Sequence, residues 1–255
     1  MKPIVAAKFK ALAVHLVVTG LVTAISAVFV YLVWYPDDLY KYLKGGELYK
    51  LIVTVELVLG PLMTLVIFSP YKPKKELVLD YFLVGALQFS ALAYGLYSTF
   101  ISRPVFEVFV IDRIEFIAAT ELEDADLALA ESPYNALPVA GYKTVCVERP
   151  TDVEERNNLL FTAVAGKDIE LYPRYYRECV DGEIVAAAYP GERLEEAMRV
   201  KGDLGKYGAR LPSEKFGWLP VKSRFGAWVK VYPGEGAENA YYLDFDPWEV
   251  PVESK

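Results

Sequence analysis

The 24 residues from Ala11 to Trp34 carry no formal charge. As a helix rising about 1.5 Å per residue, that stretch reaches across a hydrocarbon layer of about 30 Å with some tilt. Two more stretches follow: Leu51 to Ser69, 19 residues interrupted only by Glu56, and Tyr81 to Ile101, 21 residues without a charge. The pattern predicts a three-helix transmembrane region over residues 1–103, with spans at about 11–34, 51–69 and 81–101. A cleaved signal peptide competes for the first segment, because Lys2, Lys8 and Lys10 precede it and Ala24-Ile25-Ser26-Ala27 is rich in small residues. The apolar run continues through Val28 to Trp34, well past a cleavable core of about 7–15 residues, so a retained anchor is expected.

The remainder of the chain is of a different kind. Residues 1–103 hold 10 Lys and Arg against 6 Asp and Glu, whereas residues 104–255 hold 17 against 28, a net charge of −11. An acidic half without a basic stripe repels phosphate backbones, so no nucleic-acid partner is expected. Lys and Arg bias sets orientation. Lys2, Lys8 and Lys10 flank the first span, and Lys72, Lys74 and Lys75 crowd the turn between the second and third. Both flanks belong on the cytoplasmic side. The loop from Pro36 to Lys50 dilutes its lysines with Asp37, Asp38 and Glu47 and goes outside. Three spans that start inside place residues 104–255 across the membrane. Trp34, Tyr35, Tyr71 and Tyr81 sit at the boundaries, as interfacial aromatics do.

Glu56 is the informative residue of the apolar half. A carboxylate at the centre of a span costs about 2.5–3.5 kcal/mol by insertion scales and demands a partner or a proton. Helical rise places it roughly 8 Å below the outer surface, at a depth shared by Thr23, Ser26 and Tyr94. It either fixes packing among the chain's own helices or meets a polar group on a partner's membrane helix; with no second acid or base at its depth it makes a poor proton relay. Gly60-Pro61 falls mid-span, where proline leaves the Leu57 carbonyl without its donor and should kink the helix. Small residues at four-residue spacing, Gly20 with Ala24, Ala86 with Ser90 and Ala91 with Gly95, permit close helix approach. His15, the only histidine, lies near the inner edge of span one and is read as a packing or interfacial residue. Glu56, Gly60, Pro61 and Tyr94 are the candidate contacts to a partner within the membrane.

Residues 104–255 are enough for a core of their own. Val105 to Phe116 nearly alternates and predicts a strand, Pro138 to Val147 a second. Helices are expected at Ala125–Ala130, at Asp152–Ala165 after the Pro150-Thr151 start signal, and at Gly191–Lys201. A closing hairpin joins Gly226–Tyr232 to Ala240–Phe245 through Pro233-Gly234-Glu235-Gly236. The fold class is therefore three transmembrane α-helices followed by an extracytoplasmic α+β domain on a mostly antiparallel sheet. Cys146 and Cys179, the only cysteines, both fall in the half assigned outside, where a disulfide is favoured over two buried thiols.

Catalytic constellations fail here. Without a histidine outside the first span, no Ser-His-Asp triad, Cys-His pair or His-bearing zinc site can be assembled in this domain, and two cysteines do not close a tetrahedral site. Ser69-Pro70-Tyr71-Lys72 matches a Ser-x-x-Lys nucleophile by chance, with no companion motif. Asp124-Ala125-Asp126 and Asp244-Phe245-Asp246 look like paired carboxylates for a metal-bound nucleotide sugar but read better as solvated surface. No catalytic residue, metal or cofactor is expected.

Trp34-Tyr35-Pro36, the core Leu59-Gly60-Pro61-Leu62 with Thr64-Leu65, and Leu92-Ala93-Tyr94-Gly95-Leu96-Tyr97 resemble the TfpX/TfpZ-type, FimB-like accessory proteins of bacterial type IV pilins. Arg103-Pro104-Val105-Phe106, Asp112-Arg113, Trp228 and Asp246-Pro247-Trp248 extend the likeness over nearly the whole chain in order. Residues 117–215 match only in general character, and the turn from Ser69 to Lys75 is longer than the family's. The resemblance implies a non-enzymatic bacterial inner-membrane protein with a cytoplasmic N-terminus and a periplasmic C-terminal domain. Its implied partners are the pilin subunit, other pilus assembly proteins and membrane lipid. The chain lacks the Gly, Phe and Glu of a prepilin leader and is not itself a pilin. The rival readings are a glycosyltransferase-like membrane enzyme acting on pilin or lipid, which would depend on Asp124, Asp126 or a divalent metal, and an envelope sensor, for which the roughly ten residues ahead of span one are too short an output domain.

Overall fold

The computed structural model describes residues 2–69, 71–234 and 236–248, with side chains from Ile4 onward. Pro70 of the Ser-x-x-Lys match and Glu235 of the expected hairpin turn lie outside the described residues. The chain forms two compact units, residues 1–103 and 104–255.

The first unit is built from three long helices. α1 (Lys2–Val28) runs directly into a π-helical turn, Phe29–Trp34, which closes with the Tyr35 amide donating to the Val30 carbonyl at 3.0 Å. After a single-turn helix α2 (Leu39–Tyr42) come α3 (Gly45–Ile67), which continues through Pro61, and α4 (Lys74–Ile101). The stretches Ile4–Trp34, Gly45–Ile67 and Lys74–Ile101 are each long and apolar enough to cross a membrane. Their burial runs opposite to that of a water-soluble bundle. Leu21 and Phe89 are 61% and 73% exposed, whereas Thr19, Ser26, Glu56, Thr64 and Thr99 are buried. On α4 the inward positions Val84, Gln88, Leu92, Gly95 and Thr99 recur at three- and four-residue spacing, one stripe of a 3.6-residue period. Apolar groups outside and hydrogen-bonding groups inside is the arrangement that hydrocarbon favours, since lipid tails solvate Leu and Val as well as a core does.

One end of this unit is aromatic. Tyr31 meets the rings of Tyr40 and Tyr49 edge-on, at 4.7 and 5.4 Å between centroids. Tyr49 donates to the Thr23 carbonyl at 2.6 Å and shares a 2.7 Å hydrogen bond with Ser26. Fully buried Tyr35 donates to the Thr99 carbonyl at 3.1 Å and lies so close over Gly45 that any Cβ there would collide with its ring.

The second unit is a mixed sheet with short helices, mostly antiparallel with parallel pairs. Its strands are β1 (Pro104–Val110), β2 (Arg113–Ala118), β3 (Lys143–Val147), β4 (Tyr176–Arg177), β5 (Tyr189–Pro190), β6 (Phe216–Ser223), β7 (Gly226–Pro233) and β8 (Tyr241–Leu243). They run in the order β4-β3-β1-β2-β6-β7-β8, with β5 alongside β6. β1–β3 and β2–β6 are parallel and the other pairs antiparallel. Between them lie α5 (Asp124–Ala128), α6 (Val153–Val164), α7 (Glu183–Ala186), α8 (Gly191–Lys201) and α9 (Leu204–Tyr207). Asp152 caps α6, accepting from the Glu155 amide at 2.9 Å.

Three expectations need correction. The single strand over Val105–Phe116 is a hairpin: the Asp112 amide donates to the Val110 carbonyl at 2.6 Å, and Ile111 takes φ 61°, so the chain reverses inside the alternating pattern. The strand expected from Pro138 begins only at Lys143. The whole of β6 is additional, a strand disguised by Gly217 and Pro220; its full register with β7 makes the C-terminal part a three-stranded meander rather than a lone hairpin.

Register assigns the two faces. Phe106, Val108 and Val145 pack with Ile169, Tyr172 and Tyr176, while Val229, Val231 and Leu243 pack with Leu194 and Met198 of α8 and Tyr207 of α9. Pairing carries Val108 to Glu115, Glu115 to Lys222, and Pro220 to Val229, so both clusters lie on one side of the sheet. The other side holds Phe116 stacked on Trp228 at 6.0 Å and a buried carboxylate, Glu107.

Candidate functional site

α1 and α4 each pack along α3 more than on each other. A cleft of about 740 Å³ therefore opens between them, walled by Val14, Val18 and Val22 of α1 and by Gly85, Phe89 and Leu92 of α4. Its walls are apolar and its floor is not. Glu56 of α3 borders the cleft and accepts a hydrogen bond from Gln88 Nε2 of α4 at 3.3 Å. His15 Nδ1 and Thr64 Oγ1 join α1 to α3 at 2.8 Å, and Lys8 Nζ donates to the Leu65 carbonyl at 2.7 Å. Gly60 makes the convergence possible, because a Cβ there would strike the Gln88 amide and come 2.7 Å from His15 Nε2.

The four candidate contacts separate. Glu56, Gly60 and Pro61 are buried along α3, with Glu56 at the cleft, whereas Tyr94 points away from that stripe and is 74% exposed. Gln88 is absent from the sequence-derived candidates; it is the only side-chain amide in residues 1–103, and a lone amide in an apolar span is the signal that marks it, though not its partner. Of the small-residue pairs, Gly95 is used, with a Cβ there falling 2.6 Å from the Ile52 side chain, while Gly20 has open space around it.

In the second unit Glu107 gathers three donors: Lys230 Nζ at 2.5 Å, Thr144 Oγ1 at 2.7 Å and the Tyr242 hydroxyl at 3.2 Å. Glu107 is thus a satisfied buried carboxylate with a partly buried cation, and it ties together β1, β3, β7 and β8. Cys146 of β3 is bonded to Cys179, with Cα atoms 5.0 Å apart. The Asp124/Asp126 pair is split: Asp126 is buried and accepts from Lys167 at 2.6 Å, while Asp124 is exposed. Asp246 accepts from the Trp248 amide at 2.8 Å. Among the described residues no group of three or more His, Cys, Asp or Glu is arranged to hold a metal. A second charged cluster centres on Arg113, which donates to Glu115 at 2.7 Å and stands 3.8 Å from Asp168 and 4.0 Å from Glu170. Burial, reinforced by Glu115 and Asp168, raises the Glu170 carboxyl to about 7, and its buried Oε2 has no hydrogen-bond partner.

The family model described as "Fimbrial assembly protein FimB" matches residues 3–38. The fimbrial assembly protein of serogroups C1 and C2 of Dichelobacter nodosus is 33% identical over 120 residues, 47% of this chain and 88% of that protein. The serogroup E1 protein is 28% identical over 227 residues, 86% of this chain and 88% of that protein. The serogroup I protein is 31% identical over 160 residues, and the match spans 63% of this chain and 62% of the relative. No solved structure matches significantly. Matched at its N-terminus by the family model and along most of the length of a relative 33% identical to it, the chain belongs to the fimbrial assembly protein (FimB) family.

Proposed function

We propose that this protein is a non-enzymatic accessory factor of type IV pilus assembly. In this reading it resides in the bacterial inner membrane, with its N-terminus in the cytoplasm and its second unit in the periplasm. It holds the pilin subunit before or during assembly. Family membership supports a role in pilus assembly. The observation that carries the mechanism is the cleft between α1 and α4: apolar walls with a polar floor at Glu56 and Gln88. A pilin subunit waits in the same bilayer with an apolar helix. A cleft with such walls exchanges lipid tails for a helix at little cost, and the floor supplies one directional contact that fixes depth. Glu56, Gly60 and Pro61 act from the floor in this reading, and Tyr94 stands outside the contact.

The test combines crosslinking with a count of surface pili. Photoreactive residues at Val18 and Phe89, both exposed side chains on the cleft walls, should give adducts with pilin. Glu56→Ala should lower surface pili severalfold while Glu56→Gln retains most of them. Normal piliation of the Glu56→Ala strain together with lipid-only adducts would overturn the reading.

A further inference from the structure

We propose that the outer face of α6, together with the tip of the β1–β2 hairpin, is a docking surface. Its occupant is a protein segment that presents an apolar side chain next to a carboxylate, on the globular head of the pilin subunit. The inference rests on the reading above and adds a second contact, carried by the second unit.

Four observations converge on this surface. α6 has no buried residue, yet Val153, Leu160, Phe161 and Val164 share one side of it at 60%, 66%, 76% and 90% exposure. A twelve-residue helix normally persists in water by burying such a stripe, and here the partly buried Leu159 attaches α6 to the core while the stripe points outward. Beside it Ile111, a β-branched residue, is held at φ 61° with its side chain 49% exposed. Branched residues avoid that conformation, and positions forced into it cluster at binding sites. Between helix and hairpin lies a hollow of about 390 Å³ bordered by Val110, Ile111, Leu160 and Ile169. Arg149 and Arg156 stand on its rim, both exposed, and neither is in an ion pair among the described residues.

The charge pattern selects the occupant. Residues 104–255 are net −11, so two uncommitted arginines beside an apolar hollow form a local reversal that attracts a carboxylate. The other charges at the hollow are largely spent: Arg113 on Glu115 at 2.7 Å, with Asp168 3.8 Å away. Glu155 accepts from the Tyr175 hydroxyl at 2.6 Å. An anionic bilayer surface is the poorer fit, since exposed Glu154 lies on the same helix and a hollow admits a side chain but not a plane.

The experiment is photocrosslinking in cells that make the full chain with its own pilin, with benzoylphenylalanine at Phe161 or, separately, at Val18. Pilin adducts are expected at both positions. Attachment at Phe161 should map to within a few residues of an Asp or Glu of pilin. The pair Arg149→Glu and Arg156→Glu should reduce the Phe161 adduct roughly fivefold and leave the Val18 adduct unchanged. Arg156→Gln, a milder change at an exposed position, should reduce it less, and an intact Cys146–Cys179 bridge reports folding. Pilin at Val18 with none at Phe161 overturns this inference alone. So does a Phe161 adduct with lipid or a second copy of the chain, or one indifferent to charge reversal. Pilin at neither position overturns the proposed function as well.

Discussion

Gln88 on α4 donates its amide to Glu56 on α3 across 3.3 Å, and this is the hydrogen bond that gives the membrane carboxylate a partner inside its own chain. The two residues come from different apolar stretches 32 positions apart. A double-mutant cycle of Glu56→Ala and Gln88→Ala, read by thermal unfolding in detergent, should give a coupling of about 0.5–1.5 kcal/mol. Strict additivity would show that the pair does not act as a unit.

At Gly60 side chains from both α1 and α4 come up against the backbone of α3. Gly60→Ala places a methyl group against Gln88 and His15, so it should destabilise the first unit by about 1–3 kcal/mol, as overpacking does. Gly20→Ala, into open space, serves as the control and should be near neutral. Equal effects of the two would contradict the described packing.

Burying Glu170 makes stability depend on pH with a definite sign. Its folded-state carboxyl is raised to about 7 from an ordinary 4.5, so the folded form holds a proton that the unfolded form has released. That contribution is fully present below pH 4.5 and is lost as pH rises through 7, a change of up to about 3 kcal/mol. Glu170→Gln should therefore be more stable than the parent at pH 8 and similar to it at pH 5. Unfolding curves at the two pH values decide the matter, and parallel pH profiles for the two proteins would refute it.

Glu107 is buried and meets partly buried Lys230, with Nζ and Oε1 2.5 Å apart. Removing only the cation, as in Lys230→Met, strands a carboxylate and should cost about 3–5 kcal/mol. Adding Glu107→Leu to that variant should recover a substantial part. A double variant no better than the single one would place the loss in packing rather than charge.

The Cys146–Cys179 bridge joins β3 to the segment after β4, 33 residues on. By the chain-entropy account, a loop of that length contributes about 3–4 kcal/mol. Replacing both cysteines by alanine should lower the unfolding midpoint of the second unit, and reductant should then have no further effect. A midpoint that does not change would mean that the reduced unfolded chain is already restrained.

Hydrocarbon thickness is a length requirement, and length and charge are written locally in the chain. This is why the three apolar helices could be read from the sequence, down to the carboxylate in the second. α8 was equally legible, since Gly191–Lys201 carries its own periodicity and a Gly202 stop at φ 76°. Contacts made between distant segments were not. Nothing local pairs Glu56 with Gln88, because which faces of α3 and α4 meet depends on helix rotation in the assembled bundle. Ile111 sits inside an alternating run, and only the pairing of Val110 with Arg113 forces the reversal there. β6 reads as broken by Gly217 and Pro220, and it becomes a strand because β7 supplies a full-length partner. The outward face of α6 is likewise a tertiary result: the sequence marks a helix over Asp152–Ala165 without assigning its faces, and the packed structure spends Leu159 on the core and leaves Leu160, Phe161 and Val164 outside. Composition and period are set residue by residue, whereas the choice of neighbour is settled only when all segments compete for the same interior.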